Sequence, residues 1–323
     1  MIRLGIVDCD TSHVVAFSQR LHHKGVAQDQ WVDGARIVAA FPGTSQIRDA
    51  QTVEGYVRTL REEHDVEIVS QPSDLLGKVD AVLVESNEGG LHADHAVPFL
   101  ERGIPVFVDK PFANSVADAR RMLDVAHAGR TFVWSASSLR FALEVQDVQR
   151  RWEEVGAVVG VDVYSPATLH PRNPGLFHYG VHAVEMLYAL MGTGCRAVRC
   201  VGQEGADVVV GRWADGRLGT VRGLRQGTHD YGFTAFCERA VIPSRVDVGA
   251  IYRELLLRIV EAFQSGNPPL GPQELSEPVA FMEAALQSAT AGGAEVPIQA
   301  HEVAARGETR AAGQLEYRRE ERR

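Results

Sequence analysis

The chain has 323 residues, about two domains at ~150 residues each, and a chain of this length buries roughly 75% of its unfolded surface, which excludes a disulfide-stapled miniprotein. Hydrophobic residues make up 45% and charged residues 23%, with 31 Gly and 14 Pro, the composition of a globular protein rather than a disordered or fibrous one. The balance of 33 basic against 42 acidic side chains, −9 in all, argues against a broad nucleic-acid surface.

From the start to about residue 135, short β-rich runs alternate with helical patterns. The strand-like runs are Leu4 to Asp8, Arg36 to Ala40, Val66 to Val69, Ala81 to Glu85, Val106 to Asp109 and Thr131 to Trp134. Between them lie helix-like stretches at His13 to His23, Thr52 to Glu63, His92 to Arg102 and Ser115 to Ala128. This alternation predicts βαβ units and an α/β fold with a doubly wound parallel sheet over residues 1–135. A second α/β domain, 136–310, follows. It begins with a helix-like piece to about Trp152, the run Val158 to Tyr164, a Pro-rich loop and a long helix to Met191. Runs at Ala197 to Val201, Asp207 to Trp213, Leu218 to Leu224, Tyr231 to Cys237 and Ala240 to Val246, with short Gly-bearing connections, suit a mainly antiparallel sheet. Helices at about Ile251 to Gln264 and Gln273 to Ala291 close the fold, and 311–323 reads as a charged tail in which Arg318 to Arg323 carries mixed signs.

Cys9, Cys195, Cys200 and Cys237 form no CxxC pair and no zinc-finger spacing, so they read as reduced thiols of a cytoplasmic protein. The chain opens directly on the strand-like Ile2 to Val7, with no leader pattern, and no window reaches the roughly 18 apolar residues of a membrane span.

In a dinucleotide-binding domain the first strand feeds a GxGxxG turn, so that pyrophosphate approaches backbone amides at a helix N-terminus. Here the turn reads Asp8-Cys9-Asp10-Thr11-Ser12-His13, and the three glycine positions hold Asp8, Asp10 and His13. A carboxylate about 4 Å from a phosphate charge costs on the order of 4 kcal/mol at an effective dielectric near 20. Four arrangements remain: the carboxylates point away, a metal neutralises them, the cofactor binds in a shifted pose, or no dinucleotide binds. Asp10, Thr11 or Ser12 is also placed to cap the helix that follows. The residues counted as cofactor-binding candidates are Asp8, Asp10, Thr11, Ser12, His13, Ser86 and Lys110. The stretch after the second strand, Ala40 to Gln46, lacks the acidic residue that usually holds the adenosine ribose, and with Arg48 nearby a phosphorylated ribose is the better fit.

In the second half, Asn173-Pro174-Gly175 reads as a helix start, with Asn as N-cap, and Gly192 as its end. At 100° per residue from His178, His182 falls at ~40° and Glu185 at ~−20°, one titratable stripe opposite Val184, Leu187 and Met191. The stripe suits a general acid/base histidine with an orienting partner, or a metal pair; no HExxH is present, and no metal is assigned to any residue. The other constellation is Val106-Phe107-Val108-Asp109-Lys110-Pro111, a buried strand that delivers Lys110 where open α/β sheets bind ligands. His92 and His95 read as helix-start and surface residues.

The βα pattern, Asp109-Lys110-Pro111, and His178-Tyr179-Gly180-Val181-His182 at a spacing of 72 positions between Lys110 and His182 resemble the Gfo/Idh/MocA family of glucose–fructose oxidoreductase and inositol dehydrogenase relatives, which carries Glu-Lys-Pro and Asp-x-Gly-x-His. The resemblance covers the chain to about residue 295. It implies a Rossmann-like first domain, an open-faced sheet in the second, and hydride exchange between NAD or NADP and a sugar- or polyol-like substrate. It also implies that Lys110 binds substrate and nicotinamide ribose, that His182 exchanges the proton, and that the chain forms a homodimer or homotetramer. His178 stands where the family has Asp, and Asp109 where it has Glu.

Two other readings stand beside this one. The chain would be a lyase or isomerase in which Asp8, Asp10 and His13 have taken over the phosphate site, with or without a divalent metal, or a cofactor-less sugar-binding relative.

Overall fold

The computed structural model describes residues 1–298; the expected charged tail, 311–323, and the expected end of the second domain at 310 lie outside the described residues. The first apolar run folds as β1 (Ile2–Val7), buried from Leu4 onward. There follow α1 (His13–Leu21), β2 (Ala35–Phe41), α2 (Ala50–His64), β3 (Glu67–Ile68), β4 (Ala81–Val84), α3 (His92–Leu100), β5 (Val106–Val108), α4 (Val116–Ala128) and β6 (Val133–Ser135). The six strands pair in parallel in the order β3-β2-β1-β4-β5-β6. β4 and β5 are buried along their whole length, as strands covered by helices on both faces must be. Strand order reverses between β1 and β4, so the loops after those strands splay apart and open a crevice at the carboxyl ends.

After α5 (Leu143–Arg150), α6 (Trp152–Val155), β7 (Val158–Pro166) and α7 (Val181–Met191) come β8 (Cys195–Gln203), β9 (Ala206–Trp213), β10 (Leu218–Leu224), β11 (Gly232–Cys237) and β12 (Val241–Arg245), then α8 (Ile251–Ser265), α9 (Pro272–Thr290) and β13 (Val296–Pro297). The second sheet runs β12-β11-β7-β10-β9-β8-β13, antiparallel except for the parallel pair β7 and β10. Among the described residues no helix is long and apolar enough to cross a membrane.

Two local expectations are corrected. Asn173 does not cap a helix: Gly175–Phe177 makes a single tight turn, and α7 begins only at Val181, behind Gly180. The Asn173 side chain is taken by the first sheet's loops. It accepts from the Gly89 amide at 3.0 Å and from Asn114 Nδ2 at 2.9 Å, and it donates to the Asn87 carbonyl at 2.6 Å. Nor is α7 two-faced. Ten of its eleven residues, Glu185 included, are buried, because the helix lies inside the molecule against β7, β10 and α9.

Candidate active site

The β1–α1 turn turns its carboxylates away from the crevice. Asp8 has φ of +67°, left-handed backbone that glycine adopts freely and that Asp tolerates better than most residues. Its carboxylate accepts from the Ser86 hydroxyl, just past β4, and lies 3.1 Å from His95 Nδ1 on α3. Burial opposes a charge on His95, but the Asp8 contact outweighs it and the pKa rises. His95 is therefore the partner of a buried carboxylate, not the surface residue expected. Gly43 is needed beside this pair, since a Cβ there would lie 1.8 Å from Asp8 Oδ1. Asp10 accepts from Ser45 Oγ at 2.6 Å and from the Asn87 amide at 2.7 Å, which ties the loops after β2 and β4 to the turn. Burial raises its pKa.

The expected helix cap is not formed. Ser12 makes no side-chain cap bond, Asp10 is occupied elsewhere, and Thr11 Oγ1 makes only a long 3.4 Å contact with the His13 amide. Of the amides that begin α1, those of His13 and Val14 are met only by long 3.4 Å bonds to Thr11 Oγ1 and the Thr11 carbonyl.

Asp8, Asp10 and His13 do not converge. His13 points instead beneath the crevice, its Nδ1 2.9 Å from Asp109 Oδ2 and 4.0 Å from Glu85 Oε2, with its ring stacked on Phe17 and edge-on to Tyr252. Lys110 Nζ lies 3.7 Å from Asp109 Oδ2. Burial works against ionisation of Asp109, but His13 and Lys110 outweigh it and hold the carboxyl far below its usual range.

From the other sheet comes His182, in the first turn of α7. Its Nδ1 lies 2.7 Å from Ser137 Oγ, leaving Nε2 for a ligand, and the ring meets Tyr179 and Tyr231 edge-on. Burial, and then the positive charge of Lys110, push its pKa down to about 3. Lys110 and His182 line one cavity of about 230 Å³, together with Thr11, Ser12 and His13 from the first turn, Arg48 and Asn87, and Tyr179, Tyr231 and Tyr252. Polar groups converging in a cleft between two layers are the usual form of a small-molecule site.

The remaining candidates fall elsewhere. His178 stands beside His170 and Tyr179, off the cavity lining, with its pKa lowered to about 4 chiefly by burial. Glu185 is not part of an exposed stripe; it pairs with Arg140 at 3.3 Å inside the protein. Asp8, Asp10 and Ser86 are absent from the lining because they are engaged with one another's loops. Sequence reasoning missed Ser137, Glu85, Asn87 and the three tyrosines. A signal existed for Glu85, a charge directly after the fully apolar Ala81–Val84.

A parallel sheet in the order 3-2-1-4-5-6 with a ligand cavity at its switch point defines a dinucleotide-type α/β protein, here joined to a mainly antiparallel sheet. Residues 18–136, which span β2 to β6, match the GFO_IDH_MocA model, described as an oxidoreductase family with an NAD-binding Rossmann fold. No curated protein matches the sequence. Among solved structures, the myo-inositol 2-dehydrogenase of Lactobacillus plantarum superposes with a TM-score of 0.75 at 14% identity, covering 92% of this chain and 99% of that one. GenD2 from gentamicin A biosynthesis, in complex with NAD, gives 0.74 at 17% identity over 92% and 96%. A myo-inositol dehydrogenase of Corynebacterium glutamicum gives 0.73 at 16% over 92% and 99%. At such identities the likeness is one of fold.

The site's residues fit a dinucleotide phosphate. The hydroxyls of Thr11 and Ser12 and the Arg48 guanidinium offer donors at the cavity, at the weakly capped start of α1, while both carboxylates are turned away and held by donors of their own.

Proposed function

We propose that the chain is an NAD- or NADP-dependent oxidoreductase that interconverts a hydroxyl and a carbonyl on a sugar- or polyol-like substrate held in this cavity. The observation that carries the reading is the meeting of Lys110, from the end of β5, with His182, from α7, across one cavity. Hydride exchange is the chemistry a bound nicotinamide would supply; Thr11, Ser12 and Arg48 would hold its phosphates and Lys110 its ribose.

The substrate oxygen binds between Lys110 and His182. Lys110 donates to it and favours the charge that develops as the hydroxyl proton leaves. His182, neutral at pH 7, takes that proton at Nε2, while Ser137 fixes the ring through Nδ1. In the reverse direction a proton taken up transiently at the same Nε2 passes to the new alkoxide. Tyr179, Tyr231 and Tyr252 supply hydroxyls and ring faces that suit a polyhydroxylated ring.

The parallel sheet acts as the dinucleotide-binding unit and the second sheet as the substrate unit, with the division near residue 135. Val201 and Val241 are 62% and 60% exposed on strands of the second sheet, and this face is the one proposed to join copies of the chain into a dimer or tetramer.

The test is calorimetry with NADH and NADPH, followed by a panel of polyols and sugars read by nicotinamide absorbance. Binding of either cofactor with turnover of a polyol, lost in Lys110→Met and His182→Asn, supports the reading. No binding of either at millimolar concentration ends it.

A further inference from the structure

Three ligand-type side chains come together beneath the cavity, in a set that sequence spacing does not reveal. His13 begins α1, Glu85 follows β4 and Asp109 follows β5; one donor atom from each lies within 4.8 Å of the others. Glu85 and Asp109 are wholly buried and His13 is 8% exposed, the one member of the three that also lines the cavity. At metal–ligand bond lengths of about 2.1 Å, the donors of a tetrahedral site stand about 3.4 Å apart. The 2.9 Å and 4.0 Å separations from His13 Nδ1 bracket that value.

A second observation is independent of the spacing. Neither oxygen of Glu85 and neither oxygen of Asp109 has an aligned hydrogen-bond donor among the described residues, although both side chains are fully buried. Asp109 has His13 Nδ1 at 2.9 Å and the Lys110 ammonium at 3.7 Å beside it, so the member of the set left without a donor is Glu85. Buried carboxylates ordinarily collect donors or a cation, because leaving water without either is costly. Asp8 and Asp10, a few residues away, show that pattern with Ser86, His95, Ser45 and Asn87. Glu85 does not.

We infer that His13, Glu85 and Asp109 form a binding site for one divalent first-row transition ion of the zinc or manganese class. One imidazole and two carboxylates make a nitrogen and oxygen set suited to such ions rather than to a soft monovalent one, and Cys9 stays outside it, its Sγ directed at the Phe41 carbonyl. The ion ties the start of α1 to the ends of β4 and β5, where the glycine turn of other dinucleotide folds is replaced by bulkier side chains. It lies under the cavity floor beside Lys110 and is independent of whether a nicotinamide binds.

The test uses the full-length untagged protein, stripped with chelator and titrated with zinc and manganese by calorimetry and thermal melting, with cobalt absorption as a spectroscopic readout. Expected are one equivalent of tight binding, a raised melting temperature, and cobalt bands without thiolate charge transfer. Glu85→Gln, with an unchanged circular dichroism spectrum, is expected to weaken binding at least about 100-fold, the upper end of losses seen when metal surroundings are altered. If that variant does not fold, His13→Gln is read in its place. The inference fails if the stripped wild type takes up no ion at millimolar concentration, or if folded Glu85→Gln or His13→Gln binds as tightly as wild type. In the first outcome the three side chains are a buried ion-pair cluster. In the second the ion sits elsewhere.

Discussion

Ser137 Oγ and His182 Nδ1 stand 2.7 Å apart, joining the segment after β6 to the first turn of α7 and presenting one nitrogen of the imidazole to the cavity. In the family pattern an aspartate four residues before this histidine is the expected partner; here that position is His178, which lies beside His170 instead. A serine therefore does the orienting, without adding charge. Ser137→Ala is expected to lower kcat by about 10- to 100-fold with KM little changed, while His182→Asn is expected to lower it by roughly 100- to 10,000-fold, the loss of the proposed general base. Steady-state kinetics separate the two, and a Ser137→Ala enzyme with wild-type kcat would remove serine from the mechanism.

Acid should destabilise the protein over a defined window. His182 drops to about 3, and His22 and His178 to about 4, from an ordinary value of 6.5, in each case chiefly through burial. Between those values the unfolded chain binds more protons than the folded one, so stability is full above pH 6.5 and falls as pH drops toward 4. Each tenfold loss of proton affinity on folding is worth roughly 1.4 kcal/mol, so His182 alone accounts for a few kcal/mol of this fall. Urea unfolding at pH 7.5, 6 and 5 is expected to show a falling midpoint, with a shallower fall in His182→Asn. The buried carboxyls Asp10, Glu85, Glu185 and Glu277, whose pKa values burial raises, work in the opposite direction, so the histidine contribution is read from the difference between wild type and His182→Asn, and no difference contradicts a buried neutral His182.

Asp8 and Asp10 offer a measure of how far the carboxylates are turned away. Facing a phosphate at about 4 Å, a carboxylate would cost on the order of 4 kcal/mol, close to three decades of affinity. Held instead by Ser86 and His95, Asp8 should matter much less: Asp8→Asn is expected to change the Kd for NADH or NADPH by less than about tenfold. A gain near a thousandfold would mean that the carboxylate faces the phosphate after all.

Asn173 fastens the loop before α7 to the first sheet through Gly89, Asn87 and Asn114. Asn173→Ala leaves the buried Gly89 amide and Asn87 carbonyl without these partners, at about 1 to 3 kcal/mol for each group. The expected result is a lower melting temperature together with a raised KM, because Tyr179 and His182 follow directly on this loop. Unchanged values of both would show that the loop is held by other contacts.

The exposed valines of the second sheet give a test of assembly. Val201→Glu and Val241→Glu are expected to convert an oligomer to monomer in light scattering while leaving far-ultraviolet dichroism unchanged. A wild-type chain that is monomeric at micromolar concentration removes the proposed interface.

Much of the architecture is local information and could be read from the chain. The alternation of apolar runs with helical periodicity placed all six parallel strands within a few residues, because strand and helix periods are carried by neighbouring side chains. The run Leu218–Leu224 coincides with β10 residue for residue. Even the convergence of Lys110 and His182 was reachable from a family resemblance in order and spacing. What periodicity misjudged was α7, where two histidines and a glutamate mimic a solvent face: burial is a property of what packs around a helix, and Arg140, 45 residues earlier, is what makes Glu185 tolerable inside.

The destination of each side chain at the β1–α1 turn was decided only by the tertiary structure. Asp8, Asp10 and His13 lie within six residues of one another, yet one carboxylate turns to α3, one to the loops after β2 and β4, and the imidazole to the floor beneath β5. A sequence specifies which groups can ionise and how far apart they sit along the chain. Which donors, acceptors and charges come within 3 or 4 Å depends on strands distant in sequence being laid side by side, and at that range a charge–charge energy changes by about a third per ångström and several-fold with the local dielectric.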